Sequence, residues 1–207
     1  GLVESFGEDH RLFSTARCGA LLLARLMVDK VSDRLIHDSE LVQIHDLFQV
    51  TNPGFNKAAG FVEFLRTMPV GYGTHQSERL SEDVERVVGE CLWDRARERA
   101  EAAWSKRVVR EIQTYLFGIV SGCRHSTTIS AMCATGELEP RSSDAVAAFD
   151  LRPPGSCVWS LRALHSGIDV GAIAKANGGG GHTAAAGFRS GKTDVVTQLA
   201  TQLWADI

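Results

Sequence analysis

The sequence predicts an α/β protein: a rear helical part of a larger catalytic domain, a long connecting helix and a C-terminal mixed-sheet domain. Three observations carry this reading. Between residues 13 and 68 apolar side chains recur at helical spacing, residues 77 to 112 form a charged stretch free of proline, and from Tyr115 onward short apolar runs are divided by turn residues. The expected divisions are 1–78, 79–110 and 111–207.

Each element has its own signal. In "STARCGALLLARLMVDKV", Ser14 or Thr15 can cap a helix whose Ala16, Ala20, Leu23, Leu26 and Met27 share a face. "ELVQIHDLFQV" (40–50) fits a buried strand or a short helix, and "NPGFNKAAGFVEFLRTM" (52–68) reads as a turn into a helix with Phe61, Phe64 and Leu65 inward. The stretch from 77 to 112 reads as one helix with Val84, Val87, Val88, Cys91 and Leu92 along one side and alternating Glu and Arg on a solvated face. Strands and helices alternate after it, ending in a helix with Val196, Leu199 and Leu203 on one face.

Composition narrows the function. A chain of 207 residues, 44% hydrophobic, can bury one sizeable core or two small ones. Its net charge of −3 excludes a protein that coats nucleic acid by bulk charge, so phosphate binding must come from a local site. Five cysteines without a C-x-x-C pair fit reduced thiols inside a cell, in cytoplasm or mitochondrial matrix, better than disulfides or zinc. No apolar run is long enough to cross a bilayer, and no leader-like segment opens the chain, so no membrane partner is expected. Because the chain begins with Gly1 rather than methionine, its true beginning is expected to have been processed, trimmed or left out.

The candidate site lies near the end. Alternation in "CVWSLRA" puts Cys157, Trp159 and Leu161 on one face of a strand, and Val158, Ser160 and Arg162 on the other. Asp169 can cap the helix "VGAIAKAN", which Asn177 and Gly178 end. The following glycines are expected to form a loop of positive φ whose backbone N–H groups are open to a ligand, with His182 next and the small residues Ala184 to Gly187 after it. An arginine that forks onto phosphate, a histidine that donates to one and a glycine loop together suit an anionic ligand. A plain turn and a structural histidine are the alternatives.

These residues carry a resemblance. "SLRALHSGIDVGAIAKANGGGGHTAAAGF" is similar to the C-terminal substrate-binding domain of the DHH-family phosphoesterases, with the family's G-G-G-H-x-x-A-A-G-F met at Gly179, Gly180, Gly181, His182, Ala185, Ala186, Gly187 and Phe188. The resemblance extends over roughly residues 110 to 207. More loosely, residues 13 to 68 resemble the rear of the catalytic domain in the oligoribonuclease-like branch. It implies a hydrolase of phosphodiesters or phosphoanhydrides in which two divalent ions, manganese or magnesium, activate a water. Ser160, Arg162 and His182 would then hold a phosphate or terminal nucleotide of an oligonucleotide or RNA end, with Gly179, Gly180 and Gly181 offering backbone contacts.

Nearly all of the family's metal ligands fall upstream of Gly1, so the ions are expected not to be held by this chain alone. "EDHR" (8–11) has Arg11 where the Asp-His-His signature has its second histidine. The family's last metal aspartate corresponds to Asp46, or in another alignment falls at Ile44, with a surface or capping role as the other reading of Asp46. "AGFRSGKT" (186–193) formally fits a phosphate loop, but only 14 residues follow Thr193, too few for the strands such a fold requires. Three functions therefore stand: a metal-dependent phosphoesterase whose catalytic front precedes Gly1; a non-catalytic relative serving as an RNA-binding or structural subunit of a ribonucleoprotein assembly; and, more remotely, a P-loop nucleotide hydrolase. A homodimer is compatible with the first two.

Overall fold

The computed structural model describes Ala20 and residues 32–69, 80–112, 114–140, 143–152 and 156–191. The helix expected from residue 14, the "EDHR" segment, Lys192 and the closing helix lie outside these residues. The chain divides into two compact units, 1–95 and 96–207, and the division falls within a helix.

In the first unit, helix α1 (Asp33–Asp46) starts where Ser32 accepts from the Leu35 N–H, so the ambiguous 40–50 stretch is mainly helical, and α2 is Phe55–Thr67. Leu41, Ala58, Phe61 and Phe64 form its buried core, flanked by Leu65 and Leu92. Phe55 packs edge-on against Phe48 and Trp93.

Helix α3 corrects two expectations. It spans Glu82–Ser105 rather than 79–110, because the β-branched pair Val108–Val109 instead begins strand β1 (Val108–Ile112). Its buried side is also not the valine side: Val84, Val87, Val88 and Cys91 are exposed, whereas Glu85, Gly89 and Trp93 are buried. Two contacts decide this. Gly60 of α2 meets Gly89 so closely that a Cβ on either would lie within 3 Å of the other's backbone, and Arg34 Nη2 pairs with the buried Glu85 carboxylate at 2.8 Å.

The second unit holds the mixed α/β architecture, a six-stranded sheet in the order β1-β2-β3-β4-β6-β5. Its strands after β1 are β2 (Tyr115–Ser121), β3 (Ala145–Arg152), β4 (Ser156–Ala163), β5 (Gly180–His182) and β6 (Ala185–Gly191), with helix α4 (His125–Ala134) joining β2 to β3 and α5 (Val170–Ala176) following β4. Only β2 and β3 run parallel; the other pairs are antiparallel. Helices cover both faces. Ile168, Val170, Ile173 and Ala174 pack on Cys157, Trp159 and Leu161, while Trp104, Ile129 and Met132 pack with Val120, Val146 and Ala148.

The cysteines among the described residues, Cys91, Cys123, Cys133 and Cys157, are free. Burial pushes the Cys123 thiol up to about 11, and it donates to the Val158 carbonyl at 3.1 Å.

At the other end of this sheet, Asp144 accepts from the Leu116 N–H at 2.7 Å and lies 2.8 Å from His165 Nε2. His165 Nδ1 accepts from the Gly167 N–H, so Nε2 carries the proton that Asp144 receives. The hydrogen bond to His165, followed by that from Leu116, holds the Asp144 carboxyl below its ordinary 3.8. A depressed carboxyl stabilises the fold above its unfolded value and loses that contribution as pH falls through the folded one. Asp144→Asn should therefore cost about 1 kcal/mol at neutral pH, given partial solvent access. It should also flatten the acid side of the stability profile below pH 3.8. Urea denaturation from pH 2 to 7 checks this; an unchanged profile would exclude it.

Candidate phosphate-binding site

Strand β4 alternates as expected. Cys157, Trp159 and Leu161 are buried beneath α5, which leaves Ser160 and Arg162 on the α4 side of the sheet. Ser126 Oγ donates to the Cys123 carbonyl at 2.9 Å, so at 2.8 Å it accepts from Ser160 Oγ. Arg162 Nη2 donates to Thr127 Oγ1 at 2.9 Å, while its Nε is buried without a hydrogen-bond partner. Burial alone lowers the Arg162 pKa, and no carboxylate among the described residues pairs with it. A guanidinium placed this way stays charged and carries an unrepaid desolvation cost, which an anion would offset.

The glycine run is not the free loop expected from sequence. Asp169 does cap α5, accepting from Ala172 N at 2.9 Å, and Asn177 with Gly178 (φ 76°) does end it. However, Gly179 N–H is consumed by the Ala174 carbonyl at 2.9 Å, and Gly180–His182 form strand β5 against β6. Positive φ is confined within the run to Gly178 and Gly181 (145°). The glycines are required for close packing as much as for turning: a Cβ on Gly179 would strike Gly187 and Phe188, and one on Gly181 would lie 2.5 Å from the Ala185 carbonyl and 2.7 Å from Ala186 Cβ.

Register shows how the residues meet. Arg162 pairs with Ala185, which pairs with His182; Ser160 pairs with Gly187, which pairs with Gly180. Directly opposed residues share a face, so Ser160, Arg162 and His182 stand on the same side of the sheet, with Arg162 and His182 about 10 Å apart across two strand spacings. Helix α4 packs over β3 and β4, and the same face continues over β6 and β5 as a shelf floored by Ala185, Gly187 and Gly180. Above Gly180 an added Cβ would meet nothing within 4 Å. Arg162 forms the inner wall of this shelf, and exposed His182 forms its outer rim. An open cleft beside α5 is lined by Asp169, Lys175, Gly179, Gly180, Gly181 and His182, and does not contain Ser160 or Arg162.

Asp46 lies in the other unit. It ends α1, half-exposed, with one carboxylate oxygen 3.6 Å from His45 Nδ1. Among the described residues no three His, Cys, Asp or Glu side chains are grouped as a metal ion requires, so these residues do not fit a pair of divalent ions. Sequence reasoning passed over Thr127 and Ser126, which orient the β4 side chains.

No protein-family model matches the chain, and no curated protein matches it. Among solved structures, the "pGpG-specific phosphodiesterase - PggH from Vibrio cholrae" is similar at 16% identity and a TM-score of 0.37, over 90% of this chain and 67% of its own. An uncharacterized protein from Helicobacter pylori G27 is similar at 14% identity and a TM-score of 0.32, over 94% of this chain and 68% of its own.

Proposed function

We propose that this chain holds a phosphate of a nucleotide or short oligonucleotide on the Arg162 shelf, as the substrate-gripping part of a phosphoesterase of the DHH kind. The observation that carries the reading is Arg162: a largely buried guanidinium held by one hydroxyl, with its Nε unsatisfied, beside a floor with no side chain over Gly180. The "GGGH…AAGF" resemblance supports the same residues. In this role Thr127 orients the guanidinium, Arg162 neutralises and orients the phosphate, and His182 donates from the open rim. The glycine floor lets the ligand approach the sheet closely.

Titration of the full chain with a 5′-labelled oligoribonucleotide tests this. Arg162→Ala should weaken binding by about 1–3 kcal/mol without loss of fold by circular dichroism, because one charge-assisted contact is removed. His182→Ala should weaken it by less, as that side chain is solvated in the free protein. Wild-type affinity in Arg162→Ala would overturn the site.

A further inference from the structure

We propose that His165 is a proton-sensitive clasp on the turn between β4 and α5, closed while its ring is neutral and open on the Gly167 side when the ring is charged. The clasp does not depend on what the phosphate site binds. The turn is anchored at both ends. At its start the Leu164 N–H donates to the Asp144 carbonyl at 2.9 Å, and at its close Ile168 is 1% exposed and Val170 is fully buried. Between these anchors His165, Ser166 and Gly167 are exposed, and the imidazole bridges them. Its Nε2–H goes to the Asp144 carboxylate at 2.8 Å, and its Nδ1 accepts from the Gly167 N–H at 3.1 Å. The Gly167 carbonyl in turn accepts from the Tyr115 hydroxyl at 3.2 Å.

The two ring nitrogens respond to a proton in opposite ways. A neutral imidazole with its hydrogen on Nε2 keeps one acceptor, Nδ1, and the imidazolium keeps none. Protonation therefore sets two N–H groups against each other, and the contact with Gly167 breaks. The Asp144 side tightens instead, because a carboxylate then faces a cation. Asp144 stays ionised while imidazoles titrate, since the hydrogen bond from His165 and that from Leu116 hold its carboxyl below the ordinary 3.8. The charged and titratable side chains on the elements around the turn are Asp144, Tyr115, Arg162 on β4, and Asp169 and Lys175 at the two ends of α5. Arg162 is engaged with Thr127 and Asp169 with the Ala172 N–H, and among the described residues Asp144 alone forms an ion pair with His165.

The turn leads directly to the glycine strand. The Val170 N–H donates to the Thr183 carbonyl at 3.0 Å, and an added Cβ on Gly171 would lie 2.9 Å from the His182 carbonyl oxygen. Buried Ile168 and Val170 keep α5 on the sheet, so an open clasp loosens the turn and its junction with β5 while the helix stays seated.

Amide exchange of the full chain, followed by nuclear magnetic resonance at about pH 5.5 and about pH 7.5 and corrected for intrinsic rates, tests the clasp. The wild-type chain is compared with His165→Asn and His165→Ala. Asparagine can accept from the backbone N–H two residues on and does not titrate, so it should keep the Gly167 amide protected at both pH values. Alanine should leave it unprotected at both. In the wild type the Gly167 amide should exchange about threefold to tenfold faster at the lower pH, the worth of one hydrogen bond. Long-range nitrogen correlation at the higher pH should place the ring hydrogen of His165 on Nε2. A wild-type Gly167 amide equally protected at both pH values, a pH dependence that survives in either variant, or a ring hydrogen on Nδ1 would overturn the clasp.

Discussion

Valine at position 181 is expected to detach the glycine strand, whereas valine at position 180 leaves it in place and closes the shelf. Gly181 has φ 145°, and its added Cβ would sit 2.5 Å from the Ala185 carbonyl and 2.7 Å from Ala186 Cβ. Backbone strain of about 1–3 kcal/mol and overpacking of about 1–3 kcal/mol both act against Gly181→Val. The contacts cannot yield cheaply, because the obstructing atoms belong to the paired strand. Gly180 has no positive φ and open space where its side chain would be, so Gly180→Val should retain the wild-type denaturation midpoint and lose oligonucleotide affinity. Denaturant melts of both variants alongside binding titrations distinguish the two effects. Equal stability loss would refute the assignment of Gly180 to an open floor.

Trp104→Ala is expected to be the most destabilising single change, at about 3–5 kcal/mol. The indole is 1% exposed and packs with Ala100, Val120, Ile129, Met132, Val146 and Ala148. Its Nε1–H donates to the Glu139 carbonyl at 2.9 Å, and the Arg107 guanidinium carbon lies 4.5 Å from the ring centroid. Alanine removes the packing and leaves the Glu139 carbonyl short of a donor. Phenylalanine should restore part of the packing but not the hydrogen bond, giving an intermediate loss. A calorimetric Tm within a degree of wild type for Trp104→Ala would show that this side of the sheet is not an essential core.

Much of the second unit was legible because its signals are local. Alternation in β4 separated Arg162 from Trp159, Asp169 announced a cap, and Asn177–Gly178 announced a stop. The first unit was less legible. The Val84, Val87, Val88 and Cys91 stripe looked like the inner face of α3, but a close glycine–glycine approach and the Arg34–Glu85 pair outweigh it, and neither is visible without knowing which helices meet. At residue 106 strand pairing with β2 overrides helical continuation, again a tertiary effect. For the site, the chain showed which residue types gather but not their pairing partners. Four consecutive glycines read as freedom, whereas the β5–β6 register uses two of them as close-packed backbone and leaves Gly180 as bare floor.

The parallel pairing of β2 with β3 has a consequence for the order of assembly. The β3–β4 and β5–β6 hairpins, like β1–β2, close over short stretches of chain and can form early. The β2–β3 register is reached only after the intervening segment, α4 included, has condensed onto β3 and β4. Thr127 and Ser126 ride on that helix, so the wall that holds Arg162 is completed by a non-local step, as is the β4–β6 ladder that carries Arg162 itself. Ligand-binding competence should therefore arise last in refolding, with the final consolidation of the sheet.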